Sequence, residues 1–163
     1  MNIETRTVAA KEGGSLSIDD LADDPGRIIR LTNNQMHSIP LDDVGFARAR
    51  DFAVMRGVSI RTMVAARPDA FEIALTAADA QRIEEADKRI VFISIENAYP
   101  IGNDPSLLTL FYKIGVRMTG FSHFLNNQFA DSSTDPDGPR WHGLSPLGKE
   151  LLAQANKLGV IVD

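Results

Sequence analysis

A chain of 163 residues accommodates one domain with a sizeable core, but it is well short of the roughly 250 residues of a complete (β/α)8 barrel. With 44% hydrophobic and 24% charged residues it reads as globular, and a net charge of −5 without a basic, aromatic-rich patch argues against a nucleic-acid partner. The lack of cysteine excludes disulfides, thiolate zinc sites and a cysteine nucleophile, and no window approaches the roughly 18 apolar residues of a membrane span.

Residues 1–42 are expected to form an irregular N-terminal segment. Gly13-Gly14 and Pro25-Gly26 interrupt it, and Ser17-Ile18-Asp19-Asp20 looks like a helix N-terminus rather than a calcium loop, which needs carboxylates at alternate positions and a glycine at the sixth. Residues 1–14 hold no apolar core of signal-peptide length; the expected location is cytoplasmic by default, or periplasmic if the N-terminus is incomplete. His37 lies in an irregular connection without a second ligand at metal spacing and reads as a surface or capping histidine.

Residues 43–163 are expected to form the α/β domain. From Asp43 to Ala66, Phe46, Ala49, Ala53, Val54, Ile60, Met63 and Val64 recur at three- and four-residue intervals, predicting a helix that Pro68 closes. Thr76 then caps a second helix over residues 76–88, with Asp79 in its first turn and Lys88 at its far end to suit the dipole. Ile90, Val91, Phe92, Ile93 and Ile95 follow as one strand, with the β-branched and aromatic composition of a strand buried on both faces. It ends in an acid, Glu96.

Asp104-Pro105 starts a short helix that stops before Gly115, and residues 116–122 read as a strand ending in Ser122-His123, with Gly120 marking a close backbone approach. The polar loop over residues 126–143 exceeds ordinary connection length, as functional lids and binding loops do. Ser145-Pro146 begins a helix to Leu158, Gly159 ends it, and Val160-Ile161-Val162-Asp163 begins a final strand. Ser145 before a helical Pro146 is read as an N-cap, not as a nucleophile elbow, and no glycine-rich phosphate loop occurs.

This alternation predicts parallel strands joined by right-handed crossovers. If the strands are neighbours, Glu96, His123 and Asp163 each end one and could converge on one rim, where a carboxylate–imidazole–carboxylate set suits zinc or a similar divalent ion. Plainer roles are open for each. Glu96 could accept from backbone amides, His123 could be a satisfied core histidine, and Asp163 could cap a helix.

Several motifs occur in a specific order: Ile95-Glu96-Asn97, Pro100-Ile101-Gly102-Asn103-Asp104, Phe111-Tyr112-Lys113-Ile114-Gly115-Val116-Arg117, Asn126-Asn127-Gln128 with Ala130-Asp131-Ser132, and His142-Gly143-Leu144-Ser145-Pro146-Leu147-Gly148-Lys149. Asn156-Lys157-Leu158-Gly159 and Val162-Asp163 continue the run, which resembles the membrane (renal) dipeptidase family from about Phe46 to Asp163. The resemblance implies a (β/α)8 TIM-like barrel that holds two zinc ions and hydrolyses dipeptides, including those with a C-terminal D-residue. It places Glu96 where the family's glutamate bridges both metals. His123 falls where a histidine touches the substrate and the tetrahedral intermediate.

The sequence also departs from the family. No His-x-Asp pair precedes Glu96, and the family's two further metal histidines and its late aspartate would lie past Asp163, so Glu96 is the one metal ligand present. Two expectations follow. The favoured one is part of a full dipeptidase, with segments missing; the other is a truncated, non-catalytic α/β relative that associates with itself or another chain through open sheet edges.

Overall fold

A computed structural model describes residues 41–163. The expectations for the N-terminal cap at Ser17, the Gly13-Gly14 pair and His37 lie outside the described residues.

Helix α1, Asp43–Ala66, has the predicted bounds. Asp42 caps it by accepting a 2.7 Å hydrogen bond from the Gly45 amide. Phe46 and Ala49, one turn apart, bury one face, and the Phe46 ring packs 4.9 Å from that of Tyr99.

Strand β1, Phe71–Ile73, was not anticipated. At three residues it is too short to show a period, and it exists because β2, Arg89–Val91, pairs with it in parallel from Phe71↔Arg89 to Ile73↔Val91. Helix α2, Ala77–Glu85, joins the two and carries the predicted Thr76 cap as a reciprocal box with Asp79. It is shorter than expected. The chain turns out through a left-handed Asp87, and Lys88 lies beyond the helix, its Nζ 3.3 Å from Glu72.

The expected single strand over residues 90–95 is two. After β2, Phe92 is 62% exposed, and β3, Ile93–Ile95, pairs instead with β4, Val116–Thr119, through a register shift between Ile93 and Ser94. Burial on both faces is corrected as well. Ile93 and Ile95 are buried while Ser94 between them is exposed, so the residues alternate. Composition alone cannot separate these patterns, because Phe92 has the side chain of a core residue yet stands exposed among the described residues.

Strand β5, Ile161–Val162, adds to β4 in parallel, giving the order β3–β4–β5. Between β3 and β4 run a 3-10 turn at Tyr99–Ile101, a second at Pro105–Leu107 capped by Asp104, and helix α3, Leu108–Ile114. Gly115 at φ 117° ends α3 in the left-handed region that glycine adopts without strain. The guanidiniums of Arg61 and Arg117 each donate a 3.0 Å hydrogen bond to its last carbonyls, Ile114 and Tyr112. Helix α4, Pro146–Leu158, precedes β5; Ser145 caps it, accepting from the Gly148 amide at 2.9 Å.

Ile93, Ile95 and Val116 meet Leu108 and Phe111 of α3 and Leu151 and Ala155 of α4 in the main core. The opposite row, Ser94–Met118–Ile161, is exposed. The chain is therefore an α/β structure of parallel strands and helices whose β3–β5 sheet is covered on one face by the described residues.

Candidate functional site

The carboxyl ends of β3 and β4 stand side by side because Ile95 and Thr119 are register partners. The Gly120 amide donates to the Ile95 carbonyl at 2.8 Å, and a Cβ added at Gly120 would lie 2.5 Å from the Glu96 carbonyl oxygen. The close approach expected at Gly120 is thus present, and the backbone it meets is that of Glu96. Any larger residue there would push the acid away.

Glu96 follows β3 directly, whereas β4 stops at Thr119 instead of running to residue 122, so His123 lies four residues past it in the loop; from there the two side chains reach each other. His123 Nε2 lies 3.4 Å from Glu96 Oε1, an ion-pair contact when the ring is protonated, with the side chains 32% and 33% exposed. The imidazole packs on Phe124, ring centroids 3.8 Å apart. Both residues line a cleft of about 310 Å3 whose other walls include Phe52 and Ala53 of α1 and Leu125. A half-exposed carboxylate beside an imidazole at the open end of a parallel sheet can bind a cation, move a proton or hold a polar ligand.

Asp163 does not join them. It follows β5, where its amide donates to the Thr119 carbonyl at 3.0 Å and its side chain is exposed, and no group of three His, Asp or Glu able to hold a metal occurs among the described residues. The convergence of three strand-end residues is corrected to a convergence of two: Asp163 follows β5 at the level at which Glu96 follows β3, but β4 lies between those strands. A zinc site takes about three or four protein donors. Glu96 and His123 supply one carboxylate and one imidazole, so the described residues do not complete a metal site.

The loop over residues 126–143 is tightly hydrogen-bonded to itself and to the strand ends. Ser132 Oγ donates to the His123 carbonyl, Thr134 Oγ1 to that of Phe124 at 2.9 Å, and Ser122 Oγ to that of Asp131 at 2.8 Å. The loop therefore holds the backbone on either side of the imidazole. Asp131 organises the loop's far half, accepting backbone hydrogen bonds of 2.8–3.0 Å from Arg140, Trp141 and Gly143. Burial pushes the Asp131 carboxyl up, but the backbone amides of Gly143, Arg140, Trp141 and His142 together outweigh it and hold it below the usual range.

Sequence reasoning did not assign a role to Asn97 or Asn127. Asn127 is 2% exposed and its amide reaches Asn97, the residue after Glu96, at 2.9 Å. Its signal in the chain was a polar residue in a long polar loop, and such residues are more often solvated than buried.

A parallel α/β sheet with a carboxylate and an imidazole meeting at its carboxyl edge defines the class: an α/β structure of the kind that builds its site at the strand ends. Comparison with known proteins narrows this. The family model for membrane dipeptidases (peptidase family M19) matches residues 32–163, and the chain belongs to that family. Dipeptidase tcpJ of Claviceps purpurea is 37% identical over 95 residues, which is 58% of this chain and 22% of that one. Among solved structures, the probable dipeptidase PvdM from Pseudomonas aeruginosa superposes with a TM-score of 0.73 at 34% identity, covering 84% of this chain and 36% of its own. A metallo peptidase from Rhodobacter sphaeroides, liganded with a phosphinate mimic of the dipeptide L-Ala-D-Ala, matches with a TM-score of 0.63 at 25% identity, over 71% of this chain and 34% of that one. The chain thus spans about a fifth of the curated relative and about a third of each solved structure. No described helix is long and apolar enough to cross a membrane.

Proposed function

We propose that the complete protein is a zinc-dependent dipeptidase with a (β/α)8 barrel, to which this chain contributes one metal carboxylate, Glu96, and one substrate-facing imidazole, His123. The observation that carries this reading is the 3.4 Å meeting of Glu96 and His123 at the carboxyl edge of adjacent parallel strands in a chain of the dipeptidase family. The bare row Ser94–Met118–Ile161 supports the barrel, since parallel sheets bury both faces and a closed barrel would turn this row inward. The remaining metal donors come from outside the described residues.

When bound, zinc polarises a peptide carbonyl and activates a water. The chain's own residues have narrower tasks. Glu96 keeps a carboxylate at the cleft, fixed by the Gly120 approach behind it, and His123 presents Nε2 as a donor toward the negative charge that develops on a tetrahedral carbon. The expected substrate is a dipeptide.

The test is direct: the full-length polypeptide, supplied with Zn2+, should hydrolyse L-Ala-D-Ala, and Glu96→Gln should lower kcat at least about 100-fold. An active preparation free of metal by elemental analysis would sink the proposal. A second reading, a non-catalytic chain that associates through open edges, draws on β5, whose outer edge pairs with no other strand among the described residues. It predicts zinc-independent oligomers by light scattering and no hydrolysis.

A further inference from the structure

We infer that Asn127 is a positioning residue for the Glu96–His123 pair, its buried amide tying the turn after Glu96 to the loop that carries His123. The inference rests on reading that pair as the site.

An amide side chain offers two N–H donors and two acceptor lone pairs, and Asn127 uses all four. Its Nδ2 donates to Asn97 Oδ1 at 2.9 Å and to the Phe121 carbonyl at 2.5 Å, while its Oδ1 accepts from the amides of Phe129 and Ala130 at 2.8 and 3.0 Å. Asn97 follows Glu96 directly, and Phe121 stands two residues before His123. The two donor bonds therefore span the gap between the two strand ends at the level of the two site residues.

A second grip sits beside the first. Gln128 Nε2 donates to the carbonyls of Tyr99 and Gly102 at 3.3 and 3.1 Å, so consecutive residues of the His123 loop hold the Glu96 turn at both its start and its end. Asn97 Oδ1 also accepts from the Tyr99 amide at 3.0 Å, which makes the turn rigid enough to transmit a fixed position. The sheet itself cannot do this. Its ladder ends at Ile95 and Thr119, and the Gly120 contact fixes the backbone of Glu96 without constraining the chain that follows. Only an amide satisfies donors and acceptors together here; aspartate keeps the acceptors, loses both donors and sets a buried carboxylate oxygen against the two acceptors of Asn97 and Phe121, whereas Asn97→Ala removes only one of the Asn127 donor bonds.

The experiment compares the full-length polypeptide with Asn127→Asp, Asn97→Ala and the double variant. One readout is the position of the His123 ring signals in metal-free protein by NMR at fixed pH, assigned with His123→Gln; the other is hydrolysis of L-Ala-D-Ala with Zn2+. Asn127→Asp should move the ring signals and lower kcat about 10–100-fold with KM within about twofold. Asn97→Ala should move the signals in the same direction by less, and the double variant should be no worse than Asn127→Asp.

Ring signals that stay in place, additive effects in the double variant, or an unchanged kcat overturn the inference. If Asn127→Asp does not fold, Asn97→Ala decides alone, since it leaves the Asn127 bonds to Phe121, Phe129 and Ala130 intact. If the unaltered protein cleaves no dipeptide, the proposed function falls, while the ring signals still decide whether Asn127 positions the pair.

Discussion

The region around β1, α2 and β2 and the region around β3, β4, α3 and α4 are held by different forces. In the first, Glu72 is paired with Arg82 at 2.6 Å and Lys88 at 3.3 Å, and the helix start is secured by the Thr76–Asp79 box, all at the surface. In the second, fully buried Phe111, Leu108 and Leu151 pack between sheet and helices, and the backbone of one element touches that of another. A methyl at Gly148 would overlap the Phe129 carbonyl as one at Gly120 would crowd that of Glu96. Exposed ion pairs are individually worth little, whereas close packing cannot yield without moving its neighbours. The candidate site stands in the second region, where small displacements are resisted.

This contrast can be broken most severely at its core. Phe111→Ala should cost about 3–5 kcal/mol in urea unfolding, and a cost under about 1 kcal/mol would mean that α3 is not the keystone of the packed half. Next in size, Gly120→Ala should cost about 1–3 kcal/mol and, unlike Phe111→Ala, should lower dipeptide turnover more than its stability loss explains, because it displaces Glu96. In the surface-held half, Thr76→Ala should lose about 1 kcal/mol, read from the same unfolding curves, with hydrolysis unchanged.

The smallest effect is electrostatic and depends on pH. The Arg82 hydrogen bond foremost holds the Glu72 carboxyl below its ordinary range, and the loop amides do so for Asp131 against the opposing push of burial. A carboxyl with a lowered folded-state value adds stability that is present above its unfolded value, near 4, and is lost as pH falls through the folded one. Glu72→Gln and Asp131→Asn should therefore differ from the unaltered protein most at neutral pH, with both differences fading in acid. High salt should erase the Glu72 difference and leave most of the Asp131 one, since backbone amides are not screened as a surface ion pair is.

Much of the helical architecture was legible from local chemistry. Thr76, Asp104 and Ser145 cap where their side chains predict, and Gly115 and Gly159 end helices at positive φ. Strands were harder. β1 is invisible without its partner, and the run through Phe92 reads as one element until pairing divides it between two neighbours. At the site, Glu96 and His123 were identifiable as chemically capable residues ending successive strands, and the structure brings those two together. Asp163 looked equivalent and is not, since β4 separates its strand from β3, and the order of strands in a sheet is not encoded in any one of them.

By itself, then, the order of amino acids determined what depends on near neighbours: helix ends, the α/β alternation, the glycine that must admit another backbone, and a carboxylate placed after an apolar run. The tertiary structure decided what depends on residues far apart in the chain. It set the break at Phe92, the 3.4 Å meeting of Glu96 with His123, and the burial of Asn127 between the two strand ends. The physical reason is range. Capping and turn preferences act over three or four residues, whereas a buried hydrogen bond between Asn97 and Asn127 exists only after the sheet has brought their strands side by side.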